Sequence, residues 1–595
     1  MATAQCNGQA PREELERVLS SACFAHSKGL SRLLRFLVER QLEGRESELK
    51  ESVIGVEVYG RRPDYDPKLD STVRSEATRL RTRLSKYYST EGSQDLLVIE
   101  LPKGGYVPGF RQPDATRSVQ RASHKRLWLA VGLAGFATAL GLWWAAHKGA
   151  PIPIAVLPLV NLSSDGASDY LADGLTSEII SELSIIEGLS VRSQTSSFAL
   201  KRKSPNMHEA GVQLAADYIL EGSVLRDGQQ LRINTRLVRA RDDVPIWSGK
   251  FEREWTDVLS IRDEISRGIV NSLRLKLGRG QRRYETSAEA YDLYLRARAL
   301  GTQRFAGDGD VIGLFENAIA KDPSLAPAYA ALAAAYAFRS FQSPNDPGRA
   351  DELAKMRVAA QKAIELDPLL AEAHSALGTA HARDGQWEQA ELSFHRAIEI
   401  APSFSTAHGN FSLFLLLPLG RIEAAVREAR AEVRLDPLSP SAHNLLADAL
   451  LLAGRFDEAA RECQKIPADT VYKSECLGRA RLAQGRTAEA IPILAVSATD
   501  NWGYLANAYA RAGQRAEAEK LMAEAPRLYP RRRGPFQRAL AFAGLGDTER
   551  TVDALAEMAG VGPVRIGFTL NSPEFAFVRG NPRVKTLRKK VGLPE

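Results

Sequence analysis

Residues 371–402, AEAHSALGTAHARDGQWEQAELSFHRAIEIAP, carry apolar positions at helical spacing on both sides of one glycine, Gly385. Glycine tolerates the left-handed backbone of a tight turn, and Pro402 cannot continue a helix, so the stretch predicts a pair of packed helices. Turn glycines then recur at separations of 35, 34, 31, 28 and 33 residues, at Gly385, Gly420, Gly454, Gly485, Gly513 and Gly546. A period near 34 predicts an α-solenoid beginning at about residue 287.

The repeat unit resembles the tetratricopeptide (TPR) pattern, and six of its residues stand at that family's signature positions: Leu377, Gly378, Ala390, Phe394, Ala397 and Pro402. The resemblance implies stacked helix pairs over residues 287–570, with a concave face that binds a protein or peptide. Residues 571–595 look like the cap of such an array, in which an amphipathic last helix covers the exposed end.

Residues 151–278 alternate strand and helix patterns, which predicts an α/β domain. The opening sequence IAVLPLVNLSSDGASDYLADGLTSEII (154–180) resembles the TolB amino-terminal-like family. That module is often attached to class III nucleotide cyclases, yet residues 151–595 contain no GxxxxGK[ST], GxSxG or HExxH motif. We therefore expect no enzyme activity, no cofactor and no metal site in this chain.

Residues 127–146, LWLAVGLAGFATALGLWWAA, contain no charge, and a helix of this length spans about 30 Å. The stretch predicts a single transmembrane helix. Basic residues concentrate in the preceding linker, 111–126, so the positive-inside rule predicts a cytoplasmic N-terminus and a periplasmic C-terminal region. The expected localisation is the bacterial inner membrane, with a single pass.

Residues 1–110 predict a smaller domain. Apolar spacing indicates two helices over residues 11–43, and a further helix follows the candidate N-cap Asp70. One face of that helix is predicted to be buried, through Val73, Ala77, Leu80, Leu84 and Tyr87. Next come a strand at 96–100, a turn at 103–105 and a returning strand at Tyr106–Val107.

The sequence VRSEATRLRTRLSKYY (73–88), followed by LLVIELPKGGYVPGF (96–110), resembles the end of the OmpR/ToxR-type winged-helix family. Residues 49–70 depart from that family's usual pattern. The resemblance implies a winged helix-turn-helix in which the basic helix enters the DNA major groove and the hairpin reaches the adjacent backbone. The candidate DNA-binding residues are Arg74, Ser75, Arg79, Thr82, Arg83, Lys86 and Lys103.

The whole chain, 595 residues with a net charge of +7, is thus expected to be multidomain and to resemble bitopic membrane regulators of the CadC/ToxR-like type. The leading hypothesis is a membrane-anchored transcriptional regulator that binds DNA and a protein ligand. Two alternatives stay open, an envelope TPR scaffold that does not bind DNA and an adenylate-cyclase-associated TolB-like protein. Pairing of Cys463 with Cys476 and the oligomeric state also stay open.

Overall fold

The computed structural model describes residues 9–61, 72–112, 150–163, 168–273, 286–302, 310–342, 349–528 and 534–594, apart from the isolated positions 22, 25–26, 94, 103, 202, 204–205 and 497. The chain divides into two compact units, residues 1–144 and residues 145–595. We describe each unit by itself.

The N-terminal unit consists of helices followed by a short antiparallel hairpin. Its elements are α1 (Gln9–Ser20), α2 (Lys28–Leu42), α3 (Glu51–Glu57), α4 (Thr72–Ser89), β1 (Val98–Glu100) and β2 (Gly109–Arg111). The two predicted helices over residues 11–43 are α1 and α2. Asp70, the candidate N-cap of α4, lies outside the described residues.

The core of this unit forms around one face of α4. As predicted, Val73, Ala77, Leu80, Leu84 and Tyr87 are all buried there. They pack in one apolar cluster with side chains of α1, α2, α3 and the hairpin. This packing fixes which face of α4 is left toward solvent.

The predicted returning strand is wrong by three residues. β1 pairs with β2 so that Val98 lies opposite Arg111 and Glu100 opposite Gly109. Tyr106 and Val107 lie in the connecting loop instead and pack partly buried against the core. Pro108 has no amide hydrogen to donate, so the strand ladder resumes only after it.

The larger unit begins with an α/β part. Its elements are β3 (Ile152–Val156), β4 (Val160–Asn161), α5 (Asp169–Ser184), β5 (Leu189–Val191), α6 (Gln194–Phe198), α7 (Met207–Leu214), β6 (Tyr218–Asp227), β7 (Gln230–Arg239), β8 (Val244–Glu254) and α8 (Val258–Ser272). The strands lie in the order β5-β3-β6-β7-β8, and the short β4 pairs with β6. β3 is parallel to β5 and β6, whereas β6, β7 and β8 are antiparallel.

Both faces of this sheet are covered where β3 and β6 run. Leu220 contributes to the cluster that contains α5 and α8, while its neighbour Ile219 packs on the other side with Leu214 of α7. Successive strand residues point to opposite faces, so a helix on each side buries both. The α/β layout predicted from the sequence is present in the structure.

A helical array follows and makes up the rest of the described chain. Its helices are α9 (Ala288–Thr302), α10 (Val311–Lys321), α11 (Ala326–Gln342), α12 (Arg349–Leu366), α13 (Ala371–Arg383), α14 (Trp387–Ile400), α15 (Ser405–Asn410), α16 (Ile422–Leu435), α17 (Pro440–Leu452), α18 (Phe456–Lys465), α19 (Val471–Ala483), α20 (Thr487–Ala495), α21 (Ala498–Arg511), α22 (Arg515–Leu528), α23 (Pro535–Gly544), α24 (Thr548–Glu557), α25 (Pro563–Asn571) and α26 (Pro582–Lys590). A π-helical turn, Phe411–Leu416, continues α15, and a 3-10 helix, Pro573–Val578, precedes α26.

The described helices α9 to α24 form eight consecutive pairs, and the turn glycines predicted from the sequence close six of them. All six have a left-handed backbone, with φ between +71° and +78°, at Gly385, Gly420, Gly454, Gly485, Gly513 and Gly546. This conformation is strained for a residue with a Cβ. The glycine period therefore marks the turn between the two helices of each pair.

A second recurring contact joins one pair to the next. His374 Nε2 donates to the carbonyl oxygen of Pro368 at 2.9 Å, and the equivalent distances are 3.1 Å for His408 and Pro402 and 2.9 Å for His443 and Pro437. Each bond ties the first turn of a helix to the proline six residues earlier, which ends the preceding pair.

A buried ion network joins the α/β part to the array. Glu178 of α5 accepts a hydrogen bond from Tyr294 of α9 at 2.7 Å and lies 3.4 Å from Arg262 of α8. Gly174 supports the same contact, because a Cβ there would lie 2.9 Å from the Leu295 side chain. α5 therefore packs directly on the first helix of the array.

Cys463 and Cys476, whose pairing the sequence left open, form a disulfide between α18 and α19. Both side chains lie in the apolar core of the array. The bond links the second helix of one pair to the first helix of the next.

The predicted single transmembrane helix is corrected. No helix among the described residues is long and apolar enough to cross a bilayer. The two longest, α4 and α12, have 18 residues each and carry several charged side chains. Residues 127–146, on which the prediction fell, lie outside the described residues. The inner-membrane localisation, with its cytoplasmic and periplasmic sides, rested on that helix and is set aside with it.

We predict that Leu80→Ala destabilises the N-terminal unit by about 2–5 kcal/mol, because it leaves a cavity beneath α4. Leu80 has no exposed surface, whereas Leu96 is 84% exposed and provides a matched control. Hydrogen exchange of the α4 amides should accelerate in Leu80→Ala and stay at the wild-type rate in Leu96→Ala. Equal exchange in the two variants would contradict the described core.

Candidate functional site

The outer face of α4 is the candidate nucleic-acid interface. Arg74, Ser75, Arg79, Thr82 and Lys86 are exposed on it, and Arg83 is half-buried. These residues lie on the face opposite the buried stripe, as helical periodicity predicts. The structure thus brings together six of the seven predicted residues. The seventh, Lys103, lies outside the described residues.

Two cations on this face are paired with carboxylates. Arg74 Nε lies 2.8 Å from Glu51 of α3, and Arg79 Nη1 lies 2.7 Å from Glu76 within α4. The Arg79 side chain is still 73% exposed. Exposed ion pairs of this kind are worth about 1 kcal/mol or less, so a phosphate or a base edge can compete for either guanidinium.

The other two cations differ in how far they are available to a ligand. Arg83 donates a hydrogen bond to the hydroxyl of Ser27, just before α2, and is turned toward the protein. Lys86 is exposed near the end of α4 and has no ion-pair partner within the described part of the chain. Lys86 is therefore the more available of the two.

Sequence analysis missed a positioning residue, Arg81. Its guanidinium donates to three carbonyl oxygens of the hairpin loop, those of Leu101 at 3.2 Å, Pro102 at 3.1 Å and Gly105 at 2.8 Å. The planar group carries five N–H donors in a fixed geometry, which suits several carbonyl partners at once. Arg81 thus fixes the loop of the hairpin against α4. The one signal in the sequence was the position of Arg81, at the border between the exposed face of α4 and its buried apolar stripe.

Two tyrosines fix the other end of α4. Tyr87 donates to Asp95 at 2.7 Å, and Tyr88 donates to Glu14 of α1 at 3.0 Å. Tyr88 also accepts the amide hydrogen of Ile99 in β1, at 2.9 Å. Burial raises the pKa of both tyrosines, so both hydroxyls remain protonated donors above the pH at which an exposed tyrosine ionises.

A second candidate site is the solenoid groove, which we define as the surface formed by the first helices of the pairs, α9, α11, α13, α15, α17, α19, α21 and α23. Its N-terminal end contacts α5. There, Ser181 lies 3.2 Å from both Arg298 of α9 and Glu372 of α13. This end of the groove is therefore occupied by the α/β part.

Residues 562–594, which we call the C-terminal segment, pack back on the array and reach the groove at Arg479 of α19, whose Nε lies 3.9 Å from Glu574 Oε1. Asn571 donates to the carbonyl oxygens of Leu417 and Pro418, at 2.8 and 3.0 Å. Trp387 Nε1 donates to the carbonyl oxygen of Gly592 at 2.8 Å, across 205 residues of sequence. The segment does more than cap the last pair, because it returns to the middle of the array.

Among the described residues, no group of three or more His, Cys, Asp or Glu side chains is placed to hold a metal ion. Asp173, near the start of α5, instead lies 2.5 and 2.6 Å from Lys201 through its two carboxylate oxygens. The two candidate sites are therefore the outer face of α4 and the solenoid groove.

Comparison with known families covers parts of the larger unit. A family model for the second domain of HilA/YgeH-like transcriptional regulators matches residues 151–267, and tetratricopeptide repeat models match residues 371–404 and 415–470. The TPR repeats predicted from the sequence are thereby confirmed. The α/β part is similar to a HilA-type second domain, whereas neither the TolB-like family nor an OmpR-type winged helix is shown by these matches.

A curated relative, "Putative adenylate cyclase 3" of Rhizobium meliloti (strain 1021), is 34% identical over 244 residues, which make up 40% of this chain. The chain spans 41% of that relative's length. Two solved structures are similar to part of this chain. A tetratricopeptide repeat protein from Parabacteroides merdae is 15% identical, with a TM-score of 0.31, over 43% of this chain and 98% of its own. Pseudomonas aeruginosa pilF is 18% identical, with a TM-score of 0.28, over 33% of this chain and 92% of its own.

We predict that Arg81→Ala and Arg81→Lys both loosen the hairpin loop, because neither side chain can satisfy three carbonyl oxygens in one plane. Hydrogen exchange at residues 104–107 should rise about tenfold in both variants, the equivalent of losing roughly one charge-assisted bond. Arg79→Ala is the control and should leave the loop unchanged. A wild-type rate in Arg81→Lys would show that a positive charge alone holds the loop.

Proposed function

We propose that this chain is a transcriptional regulator that binds DNA through α4 and binds a polypeptide through its solenoid. The observation that carries the proposal is the outer face of α4, where four cations and two hydroxyl side chains surround a helix pinned to the core by its opposite face. The similarity of residues 151–267 to a domain of transcriptional regulators supports it.

The layout of the N-terminal unit supports DNA binding by a winged-helix mode. α4 follows the short helix α3 and precedes the β1–β2 hairpin, as a recognition helix precedes a wing. In this arrangement the early turns of α4 face base edges in the major groove, so Ser75 and Arg79 are assigned to base contacts. Lys86, near the helix end, is assigned to phosphate.

Two features of the solenoid support a polypeptide ligand. Stacked helix pairs provide an extended surface of the kind that binds extended chains. The groove is also already contacted by polypeptide at two places, by α5 at Arg298 of α9 and by the C-terminal segment at Arg479 of α19. The ligand of the solenoid is thus proposed to be a protein or a peptide.

The second candidate function is a TPR scaffold that does not bind DNA. The pairing of Arg74 with Glu51 and of Arg79 with Glu76 favours it, because both cations already have carboxylate partners. An exposed charged face is also the ordinary state of a surface helix. DNA binding by variants of α4 separates the two proposals.

We predict that Arg79→Ala weakens binding to a specific DNA site by about 1–3 kcal/mol and relaxes its sequence preference. Lys86→Ala should instead weaken all duplexes alike and flatten the salt dependence of Kd by about one unit, because one phosphate contact is lost. Binding to genomic fragments at several salt concentrations measures both effects in the full chain.

Arg241→Ala is the charge-matched control, since Arg241 is 75% exposed in the other unit. It should leave DNA affinity within error of the wild type. Circular dichroism should show that every variant is folded. If the folded Arg79→Ala, Lys86→Ala double variant bound DNA like the control, the scaffold proposal would replace DNA binding.

We further propose that the chain is not an enzyme, although a relative bears the name of a cyclase. The purified chain should form no cyclic nucleotide from ATP or GTP, with a known nucleotide cyclase as positive control. Steady turnover that follows the protein through purification would contradict this proposal and support the cyclase-associated alternative.

A further inference from the structure

The C-terminal segment contacts the array at Pro418 and at Arg479, in addition to its hydrogen bonds with Trp387 and Leu417 described above. At the first, Gly567 of α25 lies so close to the turn after α15 that a Cβ on it would stand 2.6 Å from the carbonyl oxygen of Pro418. Only glycine fits this approach without movement. The contact spans about 150 residues of sequence and belongs to the tertiary structure alone.

At the second contact, Glu574 enters a buried charged cluster on the first helices. Arg479 of α19 is 4% exposed, and its Nη1 lies 2.5 Å from Asp448 of α17. The Arg479 guanidinium also stands over the ring of Tyr504, 5.1 Å from the centroid. The cluster therefore holds a guanidinium whose remaining edge faces the C-terminal segment.

Glu574 lies beside that edge of the guanidinium but does not form a hydrogen bond with it. Its Oε1 lies 3.9 Å from Arg479 Nε, beyond hydrogen-bond distance. Among the described residues, Arg479 Nε and Nη2 have no hydrogen-bond partner, and neither does Glu574 Oε2. Buried polar atoms left unpaired cost free energy, so a carboxylate seated closer would bind the groove better than Glu574 does.

The next residue supplies an apolar anchor. Phe575 is completely buried, and its ring centroid lies 6.4 Å from that of Phe536 at the start of α23. Phe577, two residues on, is 48% exposed. The segment thus presents to the groove a carboxylate followed immediately by an aromatic side chain.

From these contacts we propose that the C-terminal segment is a displaceable internal ligand of the solenoid groove. An external polypeptide that carries an acidic residue next to an aromatic one binds by taking its place at Arg479 and in the Phe575 pocket. This inference rests on the proposed polypeptide-binding function of the solenoid and names both its ligand chemistry and its regulation. The closed segment lowers apparent affinity, because only the open fraction of molecules can bind.

The test uses the full chain and a fluorescent peptide, LNSPEFAFVRG, which copies residues 570–580. Gly567→Val forces α25 away from Pro418 and leaves the Arg479 cluster untouched. Gly580→Val is the matched control, because no atom lies within 4 Å of a Cβ built there. We expect peptide affinity to rise about tenfold in Gly567→Val and to remain at the wild-type value in Gly580→Val.

A second variant weakens the contact between the C-terminal segment and Arg479. It keeps the proposal testable if Gly567→Val does not fold. Glu574→Gln keeps the side-chain shape but removes the charge, and it should raise peptide affinity in the same direction. The peptide with glutamine in place of its glutamate should bind more weakly to every variant. Hydrogen exchange in the C-terminal segment should increase in both opening variants, while the circular dichroism of the array is unchanged.

Equal peptide affinity in the wild type and in both folded variants would show that the C-terminal segment does not compete with the peptide, and would overturn the proposal. Absence of peptide binding in all of them would overturn the ligand chemistry. Neither result decides the proposed function, which is tested by DNA binding and by cross-linking of the solenoid to protein partners in cells. Loss of DNA binding with peptide binding intact would instead remove only the DNA-binding part of the proposed function.

Discussion

The buried carboxylate of Glu178 determines how the larger unit is assembled. It accepts a hydrogen bond from Tyr294 and lies near the guanidinium groups of Arg262 and Arg298, at 3.4 and 3.7 Å. These partners come from two helices, α8 and α9, and Glu178 itself lies on α5, so a single side chain fixes the sheet-covering helices against the first helix of the array. Leaving a buried charge without its partners costs about 3–5 kcal/mol, and this penalty disfavours any other packing of α5 and α8 against α9. The α/β part and the repeats are consequently one structural body rather than two domains on a linker.

Local sequence patterns predicted the structure well wherever local chemistry decides it. The glycine period located the turns of the array because a residue without a Cβ adopts the left-handed backbone there without steric strain. The stripe from Val73 to Tyr87 identified the buried face of α4 because one side of a surface helix must be apolar. The candidate DNA-binding residues followed from the opposite face, and the structure exposes most of them together.

Contacts between distant parts of the chain were not predictable in this way. Arg81 looked like one more cation of the exposed face, yet its partners are carbonyl groups some 20 residues later, and no side-chain pattern marks a carbonyl. The return of residue 592 to Trp387 has no local signal either. The returning strand was misplaced because the pattern of side chains continues across Pro108 and does not show where the backbone hydrogen bonds begin. The hydrogen-bonded ladder begins only after Pro108, which has no amide hydrogen to donate. The membrane helix was inferred from hydropathy alone, and no described helix supports it.

The recurring bond from a histidine to the proline six residues before it has a consequence for how such an array changes over generations. The acceptor proline ends one pair, and the donor lies in the first turn of the helix that begins the next pair, at His374, His408 and His443. A duplication of about 34 residues copies the joint together with the helices it connects, wherever the breakpoints fall. Arrays of this kind can therefore lengthen or shorten by whole units without a new connection having to arise by mutation, whereas a gain of half a unit leaves a helix with no partner.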